Sequence, residues 1–307
     1  MVSRFLARRI ALGVGVIATA TLIAWLLVYA LGSPANLMLP ISATPAQVAR
    51  FSHQMGFDKP MPERLGHFIG RAVHGDFGTS YWQSEPAVRV VVSRLPAELL
   101  LIGGAMLVAY VLSLVLGVIA ARRAGGALDR LIVAVSIVGV SMPAFWLAEL
   151  LIVAFAVHFR WFPVGGYGSF KAAILPILAT AALPLGRLTQ IVRSAVLDEQ
   201  TNRVHITSLR ARGVSERRIL FVHAVRNASA AIVTMGGWEM GRLLAGFTVT
   251  IEVVFGWPGL GHLAIDAIQQ RDLPLIVADV FFVSTVLVAL NIVVDLFRVL
   301  LDRRIVL

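Results

Sequence analysis

VHITSLRARGVSERRIL, running from Val204 to Leu220, is the stretch that decides how this chain is organised. It lies within a longer basic segment, Arg193 to Asn227, and the apolar runs on either side are each long enough to cross a bilayer. Glycine tolerates the left-handed conformation that ends a helix, and a serine side chain accepts an orphan N–H at the start of one. The pattern therefore predicts a helix stopped by Gly213, a sharp turn, and a second helix capped by Ser215. A chain that folds a basic helix–glycine–helix between membrane crossings has a partner to present it to.

Composition supports the membrane reading. The 307 residues are 58% hydrophobic and 14% charged, with a mean hydropathy of +0.83, which excludes an ordinary soluble domain. Cysteine is absent, so disulfides, thiolate metal sites and cysteine nucleophiles are excluded. The formal charge of +10 invites a nucleic-acid reading, but its placement argues otherwise. Lys59 and Lys171 are the only lysines; the remaining basic residues are arginines gathered at the ends of apolar runs. That arrangement is a topology signal rather than a phosphate-binding face.

Six runs have spanning length: Ile10–Leu31, Leu99–Ala121, Leu131–Val157, Ala172–Val192, Ala228–Val249 and Ile276–Leu301. The third contains Pro143, the fourth Pro176 and Pro184, and the fifth carries Glu239 and Arg242. One face collects Arg4, Arg8, Arg9, Arg122, Arg123, Arg130, eight arginines from Arg187 to Arg226, and Arg298, Arg303 and Arg304. The short loops opposite hold only Arg160, Lys171 and Arg271, which places both termini in the cytoplasm. The basic start, apolar core and Ala30-Leu31-Gly32 also suit a cleavable signal peptide, but the core exceeds the usual signal length, so an uncleaved span is expected.

The expected organisation is a cytoplasmic N-terminus and first span (1–31), an exterior helical loop (32–96) and a five-helix core (97–307) with a cytoplasmic loop at 193–228. In the exterior loop, Thr44-Pro45 reads as a cap followed by proline at the first helical position, with Val48, Phe51 and Met55 at helical spacing. A second helix is predicted from Pro62 to Gly75, with Leu65, Phe68, Ile69 and Val73 on one face. His53, His67 and His74 lack ligand spacing with a carboxylate, and no metal site is expected.

Four blocks together make nearly the whole chain resemble the inner-membrane permeases of dipeptide/oligopeptide/nickel-type ABC importers. They are HGDFGTSY (His74–Tyr81) with Arg94-Leu95-Pro96; SMPAFWLAELLI (Ser141–Ile152) with FRWFPVGGYG (Phe159–Gly168); LRARGVSERRILFVHAVRNA (Leu209–Ala228); and TIEVVFGWPGLGHLAIDAIQQRDLP (Thr250–Pro274). The chain departs from the family pattern at Gly32-Ser33-Pro34, at Val204 and His205, and at Ala231. The resemblance implies an all-α polytopic membrane protein with six transmembrane helices in the type I importer permease architecture and a small helical exterior domain. It implies residence in the bacterial inner membrane, where a sister permease shares the path and one or two ATPase subunits hold the ATP and magnesium. An extracytoplasmic binding protein would deliver the cargo, with membrane lipids around the complex. It also implies that His205, Leu209, Arg210, Ala211, Arg212, Gly213, Val214, Ser215, Glu216, Arg217 and Arg218 form the coupling element that the ATPase grips. Short peptides are the implied cargo; nickel or metal chelates, glutathione, opines and oligosaccharides use the same permease class.

No GxxxxGK[ST], HExxH or GxSxG occurs, so no nucleotide loop, zinc-protease helix or serine-hydrolase elbow is expected, no cofactor is assigned to this chain, and it is read as a non-catalytic subunit. Glu239, Arg242, Glu252, Phe255, Trp257 and Pro258 are candidates for the path or gate. Glu239 and Arg242 stand three apart and either pair structurally or contact substrate. Phe255, Trp257 and Pro258 fall in the loop expected outside, as a gate, a docking surface or interfacial aromatics. Glu149, Asp279 and Asp295 are further intramembrane acids, the last sharing a face with Asn291. An ion-coupled secondary transporter would need an internal repeat, and a membrane enzyme a convergent set of acid, base or metal ligands. Neither is present in the sequence.

Overall fold

The computed structural model describes residues 2–30, 39, 42–54, 58–201, 208–215, 218–219, 222 and 225–301. The expectations at Gly32-Ser33-Pro34, Met55, Arg203, Val204, His205, Glu216, Arg217, Arg303 and Arg304 lie outside these residues. The described helices are α1 (Val2–Ala30), α2 (Pro45–Gln54), α3 (Met61–Val73), α4 (Ala87–Arg122), α5 (Ala127–Ser141), α6 (Ala144–Leu151), α7 (Phe170–Thr201), α8 (Val225–Arg242), α9 (Val249–Phe255), α10 (Leu260–Gln269) and α11 (Leu273–Leu301). Among the described residues there is no strand, only an isolated bridge between Thr79 and Pro86.

This is an all-α polytopic membrane protein. Ala7–Leu27, Ala87–Arg122, Phe170–Glu199 and Leu273–Phe297 are each long and apolar enough to cross a bilayer. Two expected spans differ from a simple helix. The third is broken between α5 and α6 by a bend of 106°. Pro143 has no N–H to continue the ladder and pushes Met142 into extended backbone (φ −73°, ψ 132°), so the helix must stop there. The fifth begins as α8 and passes into a π-helical turn, Leu243–Phe247, where Gly246 leaves helical geometry at φ 110°. Its charged and glycine-rich sequence keeps α8 out of the apolar set.

The chain divides into two compact units. In the first, Ala97–Pro258 with the end of α11 from Ala289, α7 is the central helix. Small residues let its neighbours approach closely. A Cβ on Gly104 would run into Ile177, one on Gly117 into Val192, and one on Gly186 into the Ser136 backbone, so α4 and α5 both lie tightly on α7. Leu175 and Ala179 of α7 pack with Ala148, Ile251 and Phe255 of α6 and α9.

Phe255 and Trp257, read in the sequence as a gate, a docking surface or interfacial aromatics, are buried in this unit. Gly256 takes a left-handed turn after α9 (φ 58°), and the N–H of Trp257 reaches back to the Glu252 carbonyl at 2.7 Å. That turn drives Trp257 inward, where it is fully buried. Its indole N–H donates to the Ala97 carbonyl at 3.0 Å, and the Tyr167 ring meets it edge-on at 5.0 Å. The N–H of Gly166 donates to the Phe255 carbonyl at 2.8 Å, tying the VGGYG turn to the same place. Of those readings burial excludes a docking surface at Phe255 and Trp257, because the turn at Gly256 directs the chain inward and the indole finds a buried acceptor.

The second unit comprises Ser3–Pro96 and Gly259–Val288. Asp272 is its polar centre. It accepts from Ser80 Oγ (2.5 Å) and Trp82 N (3.2 Å), and it caps α11 through Leu275 N (3.3 Å). Around it Phe77 packs against Phe281 (4.7 Å) and Phe68, which stacks on Trp25 (5.8 Å). The α2 start is a capping box: Thr44 N donates to Gln47 Oε1 (2.8 Å) and Gln47 N to Thr44 Oγ1 (3.4 Å). In α3 the packed residues are Phe68 and Ala72, whereas Ile69 and Val73 (78% exposed) face outward, contrary to the expected shared face. The outer turn is held by Arg71, which binds both Asp76 oxygens (2.8 and 3.0 Å) and keeps that carboxyl below its usual range. His53 lies 2.7 Å from Asp58, His67 3.7 Å from Glu63, and His74 Nδ1 2.8 Å from the Gly70 carbonyl.

Replacing Trp257 by alanine empties a fully buried site and should cost about 3–5 kcal/mol. Phenylalanine, which mainly loses the hydrogen bond, should cost less, with a share of about 1 kcal/mol from that bond. Thermal unfolding of the purified variants checks this; an alanine variant melting with the wild type would contradict the packing role.

Candidate functional site

The described part of the basic segment is a helical turn at 208–211 followed by a left-handed residue. Gly213 has φ 73°, and its N–H donates to the Arg210 carbonyl (2.9 Å) while Val214 N reaches the Leu209 carbonyl (3.1 Å). These are the two bonds of a Schellman motif, which leaves position 213 to glycine because side chains with a Cβ resist that backbone. The Ser215 carbonyl accepts from Ile219 N at 3.0 Å. Ile219 and, partly, Leu209 and Val214 turn inward. Arg210, Ala211, Arg212, Gly213, Ser215 and Arg218 are exposed, so the turn projects as a cationic knuckle.

The segment is flanked by α7 and α8, which buried charge joins. Arg187 Nη1 on α7 lies 3.2 Å from Glu239 Oε1 on α8. Arg242 Nη1 is 3.6 Å from the same oxygen and stacks over the Phe247 ring at 4.6 Å. The Glu239 side chain is 3% exposed, against 31% for Arg187 and 25% for Arg242. The pair expected within α8 is thus present, but the nearer cation comes from another helix and had counted only toward orientation. The three charges line an open groove of about 380 Å³ with Gln190, Ile191, Ser194, Met235 and Trp238.

A second bridge lies nearer the basic segment. Arg193 on α7 grips Asp129 of α5 with Nε (2.5 Å) and Nη2 (2.8 Å), and Asp129 also accepts from Gly125 N (2.8 Å). Asp129 was missed in the sequence; its signal was a lone carboxylate amid Arg122, Arg123 and Arg130, in the first turn after Gly125-Gly126. The other candidates sit elsewhere. Glu252, Phe255 and Trp257 are buried and Pro258 is half-buried; none of them lines the groove. Thr248 Oγ1 lies 3.5 Å from Glu98 Oε1. Glu149 is exposed on α6, whereas Asp279 and Asp295 are buried.

Residues 113–307 match the family of binding-protein-dependent transport system inner membrane components, and residues 1–102 match the N-terminal domain model of such components. The di/tripeptide transport system permease of Pseudomonas aeruginosa strain UCBPP-PA14 is 34% identical over an alignment covering 98% of both chains. The glutathione transport system permease of Escherichia coli K12 is 35% identical over 86% of both.

Removing Glu239 leaves both Arg187 and Arg242 without their carboxylate, whereas removing Arg187 leaves Glu239 the longer contact to Arg242, so Glu239→Ala should cost about 3–5 kcal/mol and Arg187→Ala less. The double variant should cost less than the sum by about 0.5–3 kcal/mol, read as a thermal-stability cycle on purified protein. Strict additivity would count against the bridge.

Proposed function

The chain belongs to the family of binding-protein-dependent transport system inner membrane components, which makes it the permease of an ABC importer, and we propose that its cargo is a short peptide. It is a multi-pass membrane protein whose transport system includes ATPase and substrate-binding partners. The end-to-end similarity to a di/tripeptide permease carries the proposal of cargo. Glutathione, itself a tripeptide, is the second reading, favoured by the Escherichia coli relative.

In this reading a different permease subunit completes the path, and both termini and the cationic knuckle at Gly213 face the cytoplasm, as the arginine distribution supports. ATP and magnesium belong to the ATPase subunits, and this chain performs no catalysis. The ATPase holds the knuckle; its movement enters α7 and α8, the helices on either side. Arg187 and Glu239 tie those two helices together, and Arg193 ties α7 to α5 through Asp129, so a displacement is carried as a rigid body rather than dissipated. Nucleotide can drive this switch only by binding one conformation more tightly than the other.

Deleting the protein should abolish uptake of labelled di- and tripeptides in its native host, with restoration by the wild-type chain. Gly213→Val should fail to restore it while assembling normally, because a β-branched residue resists φ near 73°. A cysteine at Ser215 in this cysteine-free chain should react with a membrane-impermeant thiol reagent only after lysis. Full complementation by Gly213→Val, or labelling in intact cells, would contradict the coupling assignment.

A further inference from the structure

The groove between α7 and α8 is more than a brace. Two guanidinium groups face one carboxylate, which leaves a formal surplus of one positive charge at this site. Arg187 is nearer Glu239; Arg242, at 3.6 Å, is beyond good hydrogen-bond range and makes no hydrogen bond among the described residues. A guanidinium carries five donors, and one largely withdrawn from water on the helices of a membrane protein calls for an acceptor. Its planar fork matches a carboxylate in two-point contact. Glu239 Oε2 likewise accepts no hydrogen bond among the described residues.

We propose that this groove is a cargo subsite in which Arg242 takes the free α-carboxylate of the passing peptide. The proposal rests on the peptide reading above. Gln190 and Ser194, on the facing α7 wall, supply an amide and a hydroxyl for the peptide bond, and the exposed Trp238 on α8 forms the apolar side. The volume of about 380 Å³ falls within the range of small-molecule sites. An anionic lipid headgroup shares the negative charge, but a peptide also brings an ammonium for the carboxylate side of the groove and an amide for Gln190 and Ser194.

The test is uptake of radiolabelled alanyl-alanine by cells carrying the complete importer, with complex assembly followed by co-purification. Arg242→Gln should lower uptake by about tenfold, the size expected for a lost charge-assisted hydrogen bond, and Arg242→Lys should recover much of it. ATPase stimulation by the loaded binding protein should survive, separating cargo contact from assembly and coupling. If Arg242→Gln does not assemble, Trp238→Glu places a repelling carboxylate on the exposed wall and should give the same loss, with Trp238→Gln near wild type. Wild-type uptake in Arg242→Gln or Trp238→Glu overturns the subsite alone. So does a variant that transports normally in vesicles but loses a wild-type dependence on phosphatidylglycerol, which would give the groove to lipid. A wild-type importer that moves no di- or tripeptide overturns the peptide reading itself.

Discussion

A carboxylate on one membrane helix held by a guanidinium on another is the constraint from which the arrangement of this permease follows. Glu239 alone in the bundle would be costly, and so would Arg187; together they cancel most of that cost and bind α7 to α8. The attachment has a consequence for motion. α7 runs into the basic segment and α8 runs out of it, so a bridge between them makes the two helices a closed hairpin with that segment between them. Asp129 and Arg193 extend the same logic to α5, nearer the segment. Glycines at 104, 117 and 186 then let the backbones of α4 and α5 close on α7, leaving a rigid centre.

The loop motifs that look most like surface features do structural work in their own units. Trp257, between a left-handed glycine and a proline, holds the Ala97 carbonyl and the Tyr167 ring in the first unit. Asp272 holds Ser80, Trp82 and the first turn of α11 in the second. In each case one side chain joins segments ninety or more residues apart, which short-range propensity does not encode. The motifs mark contacts inside the permease, whereas the basic turn at Gly213 is exposed.

What was legible in the sequence was local. Gly213 announced its left-handed turn because glycine takes that backbone most readily, and Thr44-Pro45 with Gln47 announced a capped helix start. Long apolar runs announced α1, α4, α7 and α11. Pro143 was visible too, but a bend of 106° exceeds what a tolerated proline kink implied. The rest was tertiary. Arg187 and Glu239 are 52 positions apart and Arg193 and Asp129 are 64 apart, so no helical spacing reveals either pair. Periodicity put Ile69 and Val73 with Phe68, but the aromatic cluster around Phe77 takes only one edge of that face. The burial of Trp257 was hidden because a glycine- and proline-rich stretch reads as exposed until its turn is known.

The account depends on α7 and α8 moving together. Spin labels on cysteines placed at Ser194 and Ala231, both exposed, allow the interhelical distance to be measured by pulsed electron resonance in the assembled importer. The distance should stay within about 2 Å, the scale of small helix shifts, between the nucleotide-free and the ATP-bound, hydrolysis-arrested complex. It should become variable when Glu239 is replaced by glutamine. A nucleotide-dependent separation well beyond that limit in the wild type would show the two helices parting during the cycle, and would contradict the rigid hairpin.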